Sequence, residues 1–243
     1  MTVRKVFALG CIFIGFIFSL IGGNMLFIKA AQAAEYRQQA ADGRLAETTD
    51  FNIILPGRYV TLCGELEGET GSDSSSRLAD YAQNNRLVIY RVEEWDVYED
   101  SDEQLQGEWE EIALVLPDEI QIEGGGVPVS AAEETWFYGI FHTSYALVRG
   151  TGRFVEGESE GAQRVLGFQS GEMVCAFGRK TEARQLELIA LNGGSFEGLL
   201  EALNAEAQNT RVVGSVFFII GLALLGVGIV LALWKRLAAL FGR

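Results

Sequence analysis

Two long uncharged runs dominate the hydrophobic pattern of this chain, one near each end. Residues 6–28 and 212–234 each hold 23 residues without a charged side chain. As α-helices, both would extend roughly 34 Å, and the hydrocarbon core of a bilayer is about 30 Å thick. We therefore expect two transmembrane helices that tether the intervening chain to one membrane at both ends.

Between these runs the pattern changes twice. Residues 29–50 are rich in helix formers and predict a helical stalk, while residues 195–211 place apolar side chains at helical spacing behind a Ser195 cap. Residues 51–194 instead alternate short runs of Val, Ile, Tyr, Phe and Trp with Gly, Asp and Ser, which is typical of a sheet. Strands are expected near residues 59–66, 86–98, 109–116, 135–142, 146–155, 173–180 and 185–191.

The predicted fold class is therefore α+β. Two antiparallel transmembrane helices flank one β-rich domain outside the cytoplasm, connected to them by helical stalks. The even spacing of the strands favours a barrel or a sandwich over alternating helices and strands.

Charge is divided sharply between the ends and the middle, which predicts the orientation. The flanks outside the two runs carry only basic side chains, namely Arg4, Lys5, Lys235, Arg236 and Arg243. The enclosed segment holds all 33 acidic residues and 14 basic ones, a formal charge of −19. Because basic flanks stay cytoplasmic, residues 1–5 and 235–243 are expected inside and the acidic domain outside. Such a charge also argues against nucleic acid as a partner.

The first apolar run has a second interpretation. Ala31-Gln32-Ala33 has the small-residue pattern of a signal-peptidase site, so residues 6–28 could be a cleaved signal peptide. The run is longer than the 7–15 residues or so of a signal h-region, and no helix breaker precedes the alanines. A retained anchor is therefore favoured.

Small residues recur every seven positions in both runs. They are Ala8, Gly15 and Gly22 in the first run, and Gly214, Gly221 and Gly228 in the second. Seven residues nearly complete two helical turns, so each set forms one stripe along which another helix can approach closely. We expect the two spans to pack together along these stripes. Self-association or docking to another membrane protein is the alternative use.

Two cysteines lie in the predicted outer domain, Cys63 and Cys175. They belong to two similar segments, which begin Gly57-Arg58-Tyr59-Val60 and Gly171-Glu172-Met173-Val174, but they occupy different offsets within them. We expect two buried thiols, with a disulfide as the alternative that an oxidising compartment would allow.

Catalytic chemistry has little support. The only histidine, His142, lies in an aromatic segment, and Ser144 would share its strand face. A hydrolase using this pair is conceivable, but no third group that would orient the histidine is apparent, so a structural histidine is expected. No cofactor or metal site is predicted.

An acidic cluster begins within the second predicted strand and continues into the turn that follows it. Besides Glu93, it comprises Glu94, Asp96, Glu99, Asp100, Asp102 and Glu103. These carboxylates could bind Ca²⁺ or a basic partner, but no EF-hand spacing is present, and charged hairpins commonly serve to discourage edge pairing. We treat the cluster as a possible partner surface.

The order of several motifs resembles a family of membrane proteins. Tyr90-Arg91-Val92-Glu93 followed by Trp109 resembles the YRVE-type strand of the "beside-a-membrane" domain found in GIDE-type proteins. Gly171, Gly178 and the Ser195 helix before the last span resemble the ending of that family. The chain is also similar to LUMA-type membrane proteins in Arg91-Val92-Glu93 and in the helix that leads to a span. This resemblance implies a membrane-tethered scaffolding or partner-binding domain.

The chain departs from both families after its last span. GIDE-type ubiquitin ligases end in a cytoplasmic zinc-binding RING, whereas the nine residues after Trp234 contain no Cys or His. LUMA-type proteins carry further spans. Ubiquitin transfer is therefore not expected of this chain.

These observations favour a non-enzymatic scaffold or accessory subunit, integral to a bilayer, that binds other membrane or periplasmic proteins or further copies of itself. Few lysines, short tails and compact size favour a bacterial inner membrane with a periplasmic domain; an endoplasmic-reticulum membrane with a luminal domain is the alternative. Alternative functions are a ligand sensor that signals through the stalk helices and, third, a hydrolase using Ser144 and His142.

Overall fold

The computed structural model describes residues 3–68, 76–101, 104–122 and 125–241 of the chain. The protein is a mixed α+β molecule with apolar helices at both ends and a barrel-like middle. It divides into two compact units, a helical one of Met1–Gln38 with Glu201–Arg243 and a β-rich one of Gln39–Leu200.

Four α-helices are present in the described residues: α1 (Val3–Asn24), α2 (Ala30–Asp42), α3 (Ser76–Asn84) and α4 (Phe196–Phe241). A π-helical turn, Met25–Lys29, joins α1 to α2. Segments Lys5–Asp42 and Phe196–Leu233 are long and apolar enough to cross a membrane, judged by length and composition. The sequence analysis did not predict α3, which begins at Ser76.

The predicted Ser195 cap is confirmed at the start of α4. The Ser195 hydroxyl accepts a hydrogen bond from the Gly198 amide at 3.2 Å, which satisfies one of the free donors of the first turn. The Asn192 side chain donates to the Ser195 carbonyl at 3.1 Å. From this cap α4 continues without a break to Phe241.

Eleven strands lie in the described residues. They are β1 (Tyr59–Glu67), β2 (Leu87–Glu99), β3 (Leu105–Val115), β4 (Glu119–Ile122), β5 (Gly125–Gly139), β6 (His142–Thr143), β7 (Phe154–Val155), β8 (Glu158–Ser159), β9 (Gln163–Gln169), β10 (Met173–Lys180) and β11 (Leu186–Gly193).

Five of these strands close into a barrel in the order β1-β10-β11-β5-β4. Neighbours are antiparallel except β11 and β5, which run parallel. Alternate residues point inward, so Ile120 and Ile122 of β4 are fully buried. They join Leu62, Leu66, Leu188 and Leu191 in the main core. Each such side chain stabilises the fold by about 1.5–3 kcal/mol through burial.

The remaining strands form a second sheet of order β3-β2-β9-β6 and a small β7-β8 hairpin. On one face of the second sheet, Tyr90 and Val92 of β2 pack with Val165 of β9 and with Leu78 and Ala82 of α3. This packing explains why the short α3 forms where the sequence pattern gave no strong signal.

The expected pair of buried thiols is wrong, because Cys63 and Cys175 form a disulfide. The two residues lie directly opposite each other on antiparallel β1 and β10, with Cα atoms 4.1 Å apart. Comparing offsets as if the segments were repeats was misleading. The two segments are paired antiparallel strands. Residues that lie opposite each other are therefore at different offsets from the starts of their segments.

Candidate functional site

The structure places the two small-residue stripes against each other within the helical unit. A Cβ atom added to Gly15 would lie 2.7 Å from the Gly221 carbonyl oxygen, and one added to Gly22 would lie 2.7 Å from the Gly214 carbonyl oxygen. We call the contact between the two stripes the seam. At its other end, a Cβ atom on Gly228 would lie 2.9 Å from the Ala8 carbonyl oxygen.

These pairings run in opposite directions along the two helices, as expected for an antiparallel pair. Aromatic contacts flank the seam: the ring of Phe18 meets that of Phe217 edge-on at 5.5 Å. All six stripe residues are therefore brought together inside one chain, and their small size is what permits the backbones to approach.

Residues of the Tyr90-Arg91-Val92-Glu93 motif divide between the two faces of β2. Tyr90 and Val92 lie in the core beneath α3. Arg91 and Glu93 lie on the opposite face, because neighbouring strand residues point to opposite sides.

On that opposite face, Glu93 is 4% exposed and sits between two arginines. Arg91 approaches one carboxylate oxygen at 2.8 Å, and Arg164 of β9 approaches the other at 2.7 Å through Nη2, with its Nε donating to the same oxygen. The Arg164 guanidinium also stacks over the ring of Trp109 at 4.2 Å. Arg91 and Glu93 of the motif thus form a partly buried Arg–Glu–Arg cluster with Arg164, and the ring of Trp109 packs against Arg164.

The two family-motif glycines have structural positions. Gly171 lies in the turn before β10 with a φ of 93°, a conformation that favours glycine. Gly178 lies within β10, where a side chain would collide with the Glu187 backbone of β11.

The acidic cluster does not converge on one point. Glu94 accepts a hydrogen bond from the Gln163 amide at 2.6 Å, and Glu99 lies 4.0 Å from Arg153. Asp100 accepts from the Gln104 backbone amide at 2.9 Å. Among the described residues, no three His, Cys, Asp or Glu side chains are grouped as metal ligands. Asp102 and Glu103 lie outside the described residues.

The acidic residues do, however, face each other across β2 and β3. Glu94 pairs with Glu110, and Asp96 pairs with Glu108. Like charges directly opposite each other weaken strand pairing. Asp96, Glu108 and Glu110 are all exposed, so solvent screens part of this repulsion.

His142 and Ser144 have separate partners. The His142 Nε2 lies 2.6 Å from the Tyr81 hydroxyl of α3, and its Nδ1 lies 3.3 Å from the Gln169 amide nitrogen. The Ser144 hydroxyl is buried and accepts a hydrogen bond from the Val165 backbone amide at 2.7 Å. Burial raises the pKa of the Tyr81 phenol. This geometry lends no support to a Ser144–His142 hydrolase.

Lys180 is a buried charge that the sequence analysis missed. At the end of β10 it is 2% exposed, and its ammonium donates to the carbonyl oxygens of Phe51 and Asn52 at 2.6 and 3.3 Å. Burial lowers the pKa of Lys180, and the nearby Arg184 lowers it further. Strand alternation could have indicated this position, since Val174, Ala176 and Gly178 precede it on the inward side.

Several large apolar side chains of the β-rich unit remain uncovered. Tyr145, which follows β6, is 96% exposed, and Ile140 is 82% exposed. The Ser144 and Leu147 amides donate to carbonyls of β9, so this segment extends the edge of the second sheet.

Comparison with protein-family models, with curated proteins and with solved structures finds no match to this chain.

Proposed function

We propose that residues 6–28 and 212–234 cross one bilayer as an antiparallel pair and hold the acidic β-rich domain on its outer side. The length and apolarity of both helices support this placement. The close backbone contacts of Gly15 and Gly22 with α4 favour a first helix that is retained rather than removed as a signal peptide.

The disulfide supports an oxidising compartment for the domain. Disulfides persist in the periplasm or the endoplasmic-reticulum lumen and are rare in the cytosol. Together with the basic flanks, the Cys63–Cys175 bridge supports a domain on the outer, oxidising side of the membrane, which we propose is the periplasmic side of a bacterial inner membrane. The luminal setting is the alternative.

This placement is tested with single cysteines in a Cys11→Ala background, labelled by a membrane-impermeant maleimide. Cysteines at Thr2 and Gly242 should react only after the membrane is opened, whereas Tyr145→Cys should react from the outside. Tails that react on opposite sides would refute the topology. Mass spectrometry of the mature chain tests the anchor, because an N-terminus near Ala34 would show that the first helix is cleaved.

Within this placement, we propose that the protein is a non-enzymatic scaffold or accessory subunit. The observation that carries this function is the uncovered Tyr145 on the sheet edge, with Ile140 exposed before β6. Aromatic residues are enriched in protein interfaces and often dominate binding energy. The small-residue stripes already contact each other, so the domain, rather than these stripes, supplies the proposed partner surface.

The scaffold proposal predicts a stoichiometric membrane or periplasmic partner in gentle detergent extracts of the full-length protein. Tyr145→Ser should reduce recovery of that partner by tenfold or more, as expected for losing an interface anchor worth about 1.4 kcal/mol or more. Thr143→Ser is the matched control, since Thr143 is exposed two residues away. A protein that copurifies with no partner, or equal recovery with both variants, would contradict the proposal.

One observation favours the sensor as a second candidate function. Helix α4 is uninterrupted from Phe196 to Phe241, which suits the transmission of a displacement along its axis. This candidate requires a small molecule that raises the melting temperature of the intact protein and changes the accessibility of cysteines in α4. A ligand that stabilises the domain without changing that accessibility would contradict signalling through the helix.

A further inference from the structure

The seam of the first helix changes its spacing at one point. Ala8, Gly15 and Gly22 follow one another at intervals of seven, but the next buried position is Ala30, eight residues after Gly22. Lys29, which continues the interval of seven, is exposed. The corresponding stripe of α4 keeps its interval of seven throughout, through the buried residues Gly228, Gly221, Gly214 and Ala207.

A continuous α-helix could not keep both Gly22 and Ala30 on one face. Each residue advances an α-helix by about 100°, so eight residues would leave Ala30 about 80° away from the direction of Gly22. A π-turn holds one more residue than an α-turn, because its hydrogen bonds join residues five apart. The π-turn Met25–Lys29 lies between these two positions and absorbs the additional residue.

We infer that this π-turn is a register device built into the first helix. It turns Ala30 and Ala33, which are 0% and 3% exposed, back to the side of the helix that carries the seam. It also keeps Lys29 at the surface. Without it, an otherwise α-helical chain would turn Lys29 toward the position that Ala30 now occupies. Burying an unpaired ammonium is strongly unfavourable, so the helices would separate or shift. The inference goes beyond the proposed function and does not depend on the partner.

The experiment uses the full chain with its native disulfide, Cys11→Ala, and one reporter cysteine at Ala33 or at the exposed Gln32. In this parent, the thiol at position 33 should react with maleimide roughly tenfold or more slowly than the thiol at position 32, because buried sites react through local opening. Deleting Ile28 removes the additional residue and lets the turn become α-helical. The protection of position 33 should therefore be retained.

Deletion of both Phe27 and Ile28 is the matched control. It leaves the helix one residue short, so position 33 should leave the seam and react about as fast as position 32. The inference is overturned if the single deletion exposes position 33 as the double deletion does, or if the double deletion leaves it protected. Ala30→Cys serves as a second reporter, and domain melting confirms that each variant is folded.

Discussion

Gly15 and Gly221 meet backbone to backbone: a Cβ atom on Gly15 would lie 2.7 Å from the Gly221 carbonyl oxygen and equally close to the Leu225 amide nitrogen. Both obstacles belong to the backbone of α4, so rotation of a neighbouring side chain cannot relieve the collision. The contact therefore requires glycine or displacement of a helix.

Gly15→Leu should separate α1 from α4, with a cost of about 1–3 kcal/mol as for other overpacked sites. Helix proximity is measured by oxidative cross-linking of Phe18→Cys with Phe217→Cys in a Cys11→Ala background, since these rings lie 5.5 Å apart. The cross-link should form in the parent and be strongly reduced by Gly15→Leu.

Gly10→Leu is the matched control for this prediction. Gly10 lies in the same helix, but a Cβ atom there would meet nothing within 4 Å. The control should cross-link like the parent. Equal cross-linking in both leucine variants would show that the glycine contact does not hold the helices together.

Removal of the Cys63–Cys175 bridge should destabilise the β-rich unit. The bridge closes a separation of 112 residues, and removing a native disulfide commonly costs about 2–5 kcal/mol. Denaturant unfolding of the Cys63→Ala, Cys175→Ala double variant measures this loss. Cys11→Ala, which removes the free thiol, should change the unfolding of this unit little.

Reduction of the parent provides an independent measure, because it opens the bridge without changing either side chain to alanine. Reduced protein and the double variant should unfold at similar denaturant concentrations. If neither differs from the oxidised parent, the bridge makes no contribution to stability.

The sequence was most informative for segments in which one pattern of apolar side chains continues without interruption. It placed the apolar helices and the Ser195 cap, and it gave the β10 strand its observed bounds, because Met173–Lys180 is a compact run between turn residues. The expected strand 146–155 is wrong: beyond Val148, which makes an isolated bridge to Gln163, only Phe154–Val155 pair. Ala146, Leu147 and Val148 are partly buried outside any regular strand, and periodicity cannot distinguish such a segment from a strand.

The candidate sites depended on contacts between distant residues, which a single sequence does not reveal. Strand β9 was missed because Gly167 interrupts its apolar run, yet Arg164 of that strand completes the Glu93 cluster. Similarly, Cys63 met Cys175 only once β1 paired with β10. The scaffolding or partner-binding role that the resemblance to membrane-tethered domains implies stays a prediction.

Glu93→Gln should destabilise the second sheet, because it leaves two arginines around a neutral side chain. The arginine side chains are 25% and 27% exposed, so solvent offsets part of the loss. We expect about 3 kcal/mol, at the low end of the roughly 3–5 kcal/mol typical of broken buried pairs. Denaturant unfolding of the full-length protein in detergent measures it.

Glu110→Gln is the matched control on the neighbouring strand. Glu110 is exposed and lies opposite Glu94, so neutralising it removes a like-charge pair and should be neutral or slightly stabilising. Equal losses in the two variants would show that the Arg–Glu–Arg cluster has no special role in stability.

Lys180 should make the stability of the β-rich unit depend on alkaline pH. Its folded-state pKa lies below the unfolded value of about 10.4, because burial disfavours the ammonium form. Between these two pKa values the unfolded chain binds more protons than the folded chain, so the free energy of unfolding rises with pH. Below the folded pKa, this destabilising contribution of the charged lysine is fully present.

Lys180→Met removes this titration but also leaves the Phe51 and Asn52 carbonyls without their ammonium donor. The informative quantity is therefore the difference in unfolding free energy between parent and variant, measured from pH 7 to 10. This difference should move in favour of the parent as pH rises. If this difference stays constant or moves in favour of Lys180→Met as pH rises, then burial does not lower the pKa of Lys180.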